Sequence, residues 1–266
     1  MRFSKYHGYG NDFIIGVYKE GIDYSSLAKK ICDRHTGIGA DGLIMLGTSD
    51  GFEMIFYNAD GTRGTMCGNG IRCLSKFIVD NNFVNKDDHV IVIKTLSGIR
   101  NVYFDNDIYT VNMGKPNYDC ASFGVKGLDE LFDYPIKYND EEVKVTGMFF
   151  TTDHLVVVGD NDHDTKLGEF LCFNPFFTKG INVNFAKYIH RKEIFVETYE
   201  RGVGWTLACG SGSSACFAYL NRKGLVDDMV TVHLRLGEEL TIFKENDDIF
   251  MKGKAVQISN NIEYNV

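Results

Sequence analysis

Alternating apolar and polar residues predict a chain built mainly from β-strands. Runs rich in Val, Ile, Phe and Tyr repeat with a period of two, as in a strand whose two faces differ. The runs that fit this pattern are Phe52–Tyr57, Val90–Lys94, Asp107–Asn112, Leu155–Val158, Ile194–Tyr199, Val230–Leu234 and Glu239–Phe243. We also expect Met1–Tyr9 to begin a folded strand, since it has no apolar targeting core.

Three stretches have the periodicity of helices: Ser25–Asp33, Ile71–Asp80 and Ser214–Lys223. Strands dominate, and each helix follows a particular strand. This order predicts the α+β class. The charged stretch 160–166 predicts a solvated loop.

One sequence pattern occurs twice. Cys67-Gly68-Asn69-Gly70 and Cys209-Gly210-Ser211-Gly212 share the form Cys-Gly-[Asn/Ser]-Gly, and a polar residue precedes each cysteine by nine positions, Asn58 and Glu200. A strand, a glycine turn and a hairpin turn follow both copies in the same order. Several coincidences in one order indicate an internal duplication.

The duplication predicts two units. Residues 1–116 form the first, which carries Cys67, and the tail 256–266 is expected to pack back on it. Residues 117–255 form the second, which carries Cys209. The boundary is placed near Pro116, in a stretch of low strand and helix propensity.

Composition narrows the class of protein. The net charge of −8 argues against nucleic acid as a partner, because phosphate binding needs clustered Lys and Arg. No run of 18 apolar residues occurs, so we expect no membrane partner. Hydrophobic residues make up 44% of the chain, which is enough for a sizeable core.

The seven cysteines indicate a reduced, cytoplasmic protein, since their number is odd and no secretory signal is evident. No Cys-x-x-Cys spacing occurs, which argues against a zinc ribbon or a thioredoxin-type site. A free cysteine is by default a small buried apolar residue. We expect this role for Cys32, Cys120 and Cys172.

Cys67 and Cys209 have a different setting, between a strand and a helix and followed by glycines. The first turn of a helix presents unpaired N–H groups and the positive end of a dipole. A cysteine there is stabilised as the thiolate, and the same N–H groups can hold a carboxylate. One copy alone is equally compatible with a tight turn and a buried cysteine, but two copies favour a functional pair.

A pair of such units suits inversion of a carbon centre. One cysteine removes an α-proton as the thiolate, and the other delivers a proton to the opposite face. The carboxylate then gains enolate-like charge, which helix N–H groups can stabilise. The sequence therefore predicts an isomerase, an amino-acid racemase or epimerase.

Several motifs together resemble the diaminopimelate epimerase family. They are Gly8–Phe13, Asp33–Gly42, Asn58–Gly61 with Cys67–Gly70, and Tyr199–Gly202 with Ala208–Gly212. The resemblance extends from Phe3 to about Gly253. It implies two pseudo-symmetric domains, each a β-barrel-like sheet wrapped around a central helix, with the site between them. It also implies catalysis without pyridoxal phosphate or metal.

The resemblance assigns roles residue by residue. Cys67 and Cys209 match the catalytic acid/base pair. The positions that match substrate-contacting or carboxylate-holding residues, or a histidine near the pair, are Asn11, Asn58, Gly68, Asn69, His154, Asn182, Glu200, Arg201, Gly210 and Ser211. Glu200 and Arg201 are also compatible with a structural ion pair. Asp12, Asp41, His7 and His35 are expected to be structural.

Two departures from the family pattern bear on the substrate. Where the family has Gly-Asn-Pro-His the chain has Thr151-Thr152-Asp153-His154, and where it has Gly-Glu-Thr the chain has Gly204-Trp205-Thr206. Thr152 replaces an asparagine that helps bind the far end of diaminopimelate. An indole at Trp205 can stack on a planar or cationic ring, and Asp153 can pair with a positive charge. These changes favour histidine as the amino-acid substrate, so Thr152 and Trp205 join the predicted substrate-binding residues.

Three alternatives stay open. The first is a diaminopimelate epimerase that tolerates both departures. The second, of another class, is a non-catalytic amino-acid-binding protein, and the third is an isomerase that moves a double bond. The sequence does not decide the oligomeric state, and a homodimer is kept open.

Overall fold

A computed structural model gives the structure of residues 1–159 and 164–266. Part of the predicted solvated loop, residues 160–163, lies outside the described residues. The chain divides into unit 1, residues 1–112 and 252–266, and unit 2, residues 113–251. Over the described ranges, no helix is long and apolar enough to cross a membrane.

Strands outnumber helices throughout the described chain. The strands are β1 (Arg2–Gly8), β2 (Asn11–Val17), β3 (Gly42–Gly47), β4 (Phe52–Asn58), β5 (Arg63–Gly64), β6 (Val90–Thr95), β7 (Gly98–Asp105), β8 (Ile108–Gly114), β9 (Tyr134–Tyr138), β10 (Glu141–Phe150), β11 (Thr152–Val158), β12 (Asn182–His190), β13 (Glu193–Glu200), β14 (Gly204–Thr206), β15 (Met229–His233), β16 (Glu239–Glu245), β17 (Asp248–Lys254) and β18 (Val256–Glu263). The α-helices are α1 (Tyr24–Ile31), α2 (Gly68–Asp80), α3 (Thr165–Cys172) and α4 (Gly210–Arg222).

In unit 1 the sheet is mixed. β1 and β2 form an antiparallel hairpin, and β18 pairs antiparallel with the other side of β1. After α1, β3 returns parallel to β2, and β4 pairs antiparallel with β3. After α2, β6 pairs parallel with β4 and begins a hairpin with β7.

Unit 2 repeats this order of pairings. β10 pairs antiparallel with β9 and β11, and β12 returns parallel to β11 after α3. β13 pairs antiparallel with β12, β15 pairs parallel with β13 after α4, and β16 pairs antiparallel with β15. The two series of pairings match strand for strand, which confirms the internal duplication.

Each unit has one helix enclosed by strands. α2 packs on β1, β2, β3 and β18, and α4 packs on β10, β11, β12, β13 and β16. Both helices have 13 residues, of which eleven are buried. A helix buried on nearly every side is a central helix rather than an amphipathic surface helix. The structure therefore confirms the predicted α+β class, with a sheet wrapped around a central helix in each unit.

The predicted elements are present, with shifted ends. α2 and α4 begin three or four residues before the predicted starts at Ile71 and Ser214, because the glycines after each cysteine already belong to the first helical turn. β3 escaped prediction because all its residues are buried, so its apolar run does not alternate.

Candidate active site

Cys67 caps the N-terminus of α2. Its backbone is extended, and its Sγ accepts a hydrogen bond of 3.4 Å from the N–H of Gly70. An N-cap position normally holds an oxygen from Ser, Thr, Asp or Asn. A sulfur there faces the free N–H groups and the positive end of the helix dipole, which favours the thiolate.

Asparagine side chains surround Cys67. Oδ1 of Asn11 lies 3.9 Å from Sγ of Cys67 and accepts a 3.3 Å hydrogen bond from Nδ2 of Asn69. Nδ2 of Asn11 donates to Asp41 at 2.7 Å, which fixes the orientation of the Asn11 amide. The structure thus brings together Asn11, Cys67 and Asn69, three of the predicted site residues.

A cluster of charged side chains holds Asn11 in position. Arg34 donates to both oxygens of Asp12 and to Asp41, and Lys5 lies 3.0 Å from Asp12. Burial opposes the charge on Asp12, but Arg34 and Lys5 outweigh it and lower the pKa of the carboxyl. Asp12 and Asp41 therefore hold Asn11 and the strand start in place, in agreement with their expected structural roles.

Cys209 occupies the matching position on α4. Its Sγ accepts a 3.4 Å hydrogen bond from the N–H of Gly212, and the hydroxyl oxygen of Ser211 lies 3.6 Å from the sulfur. Cys67 and Cys209 are half-buried, and the other five cysteines are fully buried. The predicted burial of Cys32, Cys120 and Cys172 is confirmed. Among the seven thiols, only those of Cys67 and Cys209 are accessible.

A buried chain of polar groups leads to Cys209. Nε2 of His154 lies 3.0 Å from Oγ of Ser211, and Nδ1 of His154 lies 3.1 Å from Nδ2 of Asn184. Nδ2 of Asn184 also donates to the carbonyl of Leu155 at 3.0 Å, and Oδ1 accepts from Thr198 at 3.1 Å. Burial lowers the pKa of His154 to about 3, so the ring is neutral near pH 7.

These contacts favour one arrangement of the protons. Because a carbonyl can only accept, the Asn184 atom that meets the carbonyls of Leu155 and Asn182 is the NH2 group, which also faces Nδ1 of His154. The ring proton is then on Nε2 and is donated to the oxygen of Ser211. The hydroxyl proton of Ser211 is left free to point at the sulfur of Cys209, where it stabilises a thiolate.

The duplicated sheet places the remaining predicted residues at equivalent strand ends. In unit 1, Asn11 starts β2 and Asn58 ends β4, where its side chain donates to Thr62 at 2.9 Å. In unit 2, Thr152 starts β11, Asn182 starts β12 beside His154, and Glu200 ends β13. The first residues of the helices, Gly68 and Gly210, follow the capping cysteines directly.

Arg201 is fixed by its own neighbours. Its N–H donates to Oδ1 of Asn182, and its guanidinium donates to the carbonyls of Lys179 and Gly180, each bond being 3.0 Å long. It also lies 3.9 Å from Asp153. Burial raises the pKa of Asp153, while Arg201 and Lys179 act in the opposite direction. The positive partner of Asp153 is therefore supplied by the protein.

Glu200 accepts a 2.7 Å hydrogen bond from the hydroxyl of Thr206. This bond links the end of β13 to β14, the short strand that precedes Cys209. It holds one oxygen of the Glu200 carboxylate in place directly after Tyr199, which pairs with Val183 across β12 and β13.

Trp205 packs on the core of unit 2. Its ring centroid lies 5.4 Å from that of Phe185 and 5.6 Å, edge to face, from that of Tyr199. Its indole N–H donates to the hydroxyl of Thr165 at 2.9 Å. The protein itself therefore contacts the indole ring and binds its N–H group. Stacking of Trp205 on a substrate stays a prediction.

Two residues near the cysteines escaped sequence reasoning. Asn184 links Thr198 to His154, and Arg72 donates to Oδ1 of Asn69 at 2.6 Å. Each is a polar residue inside an apolar run, and that mismatch is the signal that could have revealed it. Within the described ranges, no group of three or more His, Cys, Asp or Glu side chains is arranged to hold a metal ion.

Comparison with known proteins agrees with this geometry. The chain matches the family model for diaminopimelate epimerase over residues 3–118 and 151–258. It is 36% identical to a diaminopimelate epimerase of Caldanaerobacter subterraneus subsp. tengcongensis over 269 residues, which cover 97% of each protein. It is 34% identical to a diaminopimelate epimerase of Clostridium perfringens over 269 residues, 96% of each.

Solved structures show the same fold at low identity. A hydroxyproline epimerase from Agrobacterium vitis superposes with a TM-score of 0.70 at 14% identity, covering 98% of this chain and 90% of that one. A phenazine biosynthesis protein of the PhzF family from Bacillus anthracis superposes with a TM-score of 0.70 at 13% identity, covering 100% and 99%. On the strength of the family match and the near full-length relatives, the chain is an isomerase that belongs to the diaminopimelate epimerase family.

Proposed function

We propose that the chain interconverts LL- and meso-diaminopimelate, with Cys67 and Cys209 as the two acid/base groups. The observation that carries this proposal is the matched pair of half-buried cysteines, each of which caps a central helix and accepts an N–H bond from its first turn. The names of the near full-length relatives support diaminopimelate as the substrate.

In the proposed reaction one cysteine is a thiolate and the other a thiol. The thiolate takes the α-proton and becomes a thiol, and the electron pair of the broken C–H bond moves into the carboxylate as enolate-like charge. The other thiol gives its proton to the opposite face of the carbon and becomes the thiolate. The N–H groups that start α2 and α4 suit the stabilisation of negative charge on sulfur and carboxylate.

The substrate assignment reverses the sequence-based preference for histidine. That preference used Trp205 as a stacking surface and Asp153 as a partner for a positive side chain. Trp205 instead has its N–H on Thr165, and Asp153 has Arg201 and Lys179 as positive neighbours. Both observations remove support for histidine, and the relatives favour the diaminopimelate alternative.

Because the reaction needs free thiols, we place it in a reducing cytoplasm.

The test is α-proton exchange in heavy water. LL-diaminopimelate and L-histidine are incubated separately with the protein, and deuterium at the α-carbon and the configuration are followed. We expect exchange and inversion with diaminopimelate. Exchange with histidine alone would overturn the substrate assignment. Binding of either amino acid without exchange would support a non-catalytic binding protein.

Single substitutions test the cysteine pair. Cys67→Ser and Cys209→Ser are each expected to lower exchange by at least a thousandfold, because a hydroxyl is a far poorer acid/base group than a thiol near neutral pH. Cys73→Ala and Cys216→Ala, on the same two helices but buried, are matched controls and are expected to keep activity. Full activity in both serine variants would end the two-cysteine mechanism.

A further inference from the structure

Three polar side chains of unit 2 form a buried row that ends beside Ser211. The row consists of Thr198, Asn184 and His154, and each of them is at most 2% exposed. The hydroxyl of Thr198 donates to Oδ1 of Asn184 at 3.1 Å, and Nδ2 of Asn184 lies 3.1 Å from Nδ1 of His154. Burial of polar groups costs free energy that their hydrogen bonds only offset. The row is therefore expected to serve a purpose beyond stability.

The residues of unit 1 at the same strand positions are apolar. His154 and Asn184 are the third residues of β11 and β12, and Thr198 opposes Asn184 on β13. The matching positions on β2, β3 and β4 are buried and are occupied by Phe13, Ile44 and Phe56. The duplicated fold thus encloses a central helix with an apolar set in one unit, so the polar row of unit 2 is not required by the fold.

The glycines that bind the two sulfurs confirm that these positions are equivalent. Gly212 donates its N–H to Sγ of Cys209, as Gly70 does to the cysteine of unit 1. A Cβ on Gly70 would lie 2.9 Å from Cδ1 of Ile44, and a Cβ on Gly212 would overlap Oδ1 of Asn184. Asn184 therefore packs directly on the helical turn that binds the sulfur, where unit 1 has a methyl group.

The orientation of the Asn184 amide follows from its neighbours. The carbonyl oxygens of Leu155 and Asn182 lie 3.0 and 3.4 Å from Nδ2 and can only accept. Nδ2 is therefore the NH2 group, which favours an unprotonated Nδ1 on the ring of His154. The ring proton is then on Nε2, which lies 3.0 Å from the hydroxyl oxygen of Ser211.

The tautomer of His154 decides what the hydroxyl of Ser211 can do. A hydroxyl that accepts from Nε2 keeps its own proton for another acceptor, and Sγ of Cys209 lies 3.6 Å from it. With the other tautomer the hydroxyl would donate to the ring, and its proton would not be available to the sulfur.

We infer that Asn184 is a positioning residue that selects the tautomer of His154 and so turns the hydroxyl of Ser211 toward the sulfur. Thr198 holds the amide of Asn184 in this orientation. The role in catalysis rests on the proposed function, but the tautomer and its effect on the Cys209 thiol do not.

Nitrogen NMR of the histidine rings tests the tautomer. Wild-type protein, Asn184→Leu, Thr198→Val and Thr146→Val are labelled with ¹⁵N-histidine, and the signals of His154 are identified by their loss in His154→Gln. Near pH 7 we expect the wild type to carry its ring proton on Nε2. Asn184→Leu should show both tautomers, because leucine has no polar group to face Nδ1, and Thr198→Val should show a smaller change.

Alkylation tests the effect on the thiol. The same variants are treated with iodoacetamide from pH 5 to 10, and the Cys209 and Cys67 peptides are quantified by mass spectrometry. In Asn184→Leu we expect the midpoint for Cys209 to rise by about one pH unit, because its thiolate loses a charge-assisted hydrogen bond. The midpoint for Cys67 should not move.

Thr146→Val is the matched control. Thr146 is a buried threonine of unit 2 whose hydroxyl accepts from the N–H of Asp133 at 3.0 Å, so the variant loses a buried hydrogen bond outside the row. It should match the wild type in both measurements. An unchanged tautomer or an unchanged Cys209 midpoint in folded Asn184→Leu would overturn the proposal, as would a wild type with its proton on Nδ1.

A second variant covers the case in which Asn184→Leu does not fold. Asn184→Asp keeps the shape of the side chain but places an oxygen opposite Nδ1, which favours a ring proton there. We expect the proton to move to Nδ1 and the Cys209 midpoint to rise. A ring that keeps its proton on Nε2 alone in Asn184→Asp would count against the proposal in the same way.

Exchange kinetics test the consequence for the reaction. We expect Asn184→Leu to lower kcat for diaminopimelate by about tenfold and to leave KM within about twofold, since the hydroxyl acts on the thiol. A merely structural asparagine would lower the free energy of unfolding without moving the Cys209 midpoint. Because NMR and alkylation need no substrate, a failure of diaminopimelate to react would leave both results standing and would count only against the proposed function.

Discussion

Nε2 of the buried His154 ring lies 3.0 Å from the hydroxyl oxygen of Ser211. The NH2 group of Asn184 faces the other ring nitrogen, which favours a ring proton on Nε2 that is donated to Ser211. The hydroxyl of Ser211 can then donate to the sulfur of Cys209, which lies 3.6 Å from it. A histidine that burial keeps neutral near pH 7 is thus placed to orient the hydroxyl beside the thiol.

Ser211→Ala removes the hydroxyl that faces Cys209. A hydrogen bond to a charged group contributes about 1.5–3 kcal/mol, so we expect α-proton exchange to fall by about tenfold or more. The alkylation midpoint of Cys209 should rise, because its thiolate loses a donor. Ser213→Ala is the matched control: it is buried on the same helix, and its hydroxyl has no partner within the described residues. Equal activity of the two variants would contradict the role of Ser211.

His154 also makes stability depend on pH. In the folded chain burial lowers its pKa to about 3, whereas an unfolded histidine has a pKa near 6.5. Between these values the unfolded state binds a proton that the folded state does not. The contribution of neutral His154 to the free energy of unfolding is therefore complete above about pH 6.5. It is lost as the pH falls toward 3, by up to about 1.4 kcal/mol per pH unit.

Urea unfolding at pH 7, 6, 5 and 4 measures this loss. The free energy of unfolding of His154→Gln should depend less steeply on pH than that of the wild type. The difference between the two slopes should correspond to at most one bound proton. His35→Gln, in which an exposed histidine is replaced, should keep the wild-type slope. A wild-type slope in His154→Gln would mean that His154 is not buried in the neutral form.

Much of the fold was visible in the sequence because it depends on local patterns. Strand alternation, the two Cys-Gly-x-Gly copies and the helices after them are short-range features, and the duplication fixed their order. The strand β3 and the roles of Arg72 and Asn184 were not visible. They depend on which strands close over α2 and α4, and no local period contains that information.

Trp205 shows the same limit for the site. Its presence where the family pattern has glutamate suggested a stacking surface for a planar or cationic ring. The structure gives its N–H a partner in Thr165, forty residues earlier in the chain. A contact of that separation follows from the β13–β14 hairpin packing on α3, and it could not be deduced from the order of residues.

Thr151 has a left-handed backbone between β10 and β11, with a φ of 63°. A β-branched residue is strained in this region, and this is the position where the family pattern has glycine. Thr151→Gly is expected to raise the free energy of unfolding by about 1 kcal/mol. Thr152→Gly, at the next residue in the strand, is the control and should lower stability. Thermal and urea unfolding measure both, and a loss of stability in Thr151→Gly would show that its side-chain contacts outweigh the strain.

Trp205→Phe separates a structural indole from a substrate-binding one. The variant keeps a ring against Phe185 and Tyr199 but loses the bond to Thr165, so we expect a loss of about 1 kcal/mol in stability. The KM for diaminopimelate should stay within about twofold, because the polar tip of the indole is already engaged. Thr165→Val removes the partner instead and should reproduce the stability loss. A KM raised more than tenfold in Trp205→Phe, with stability unchanged, would place the indole on the substrate and reopen histidine.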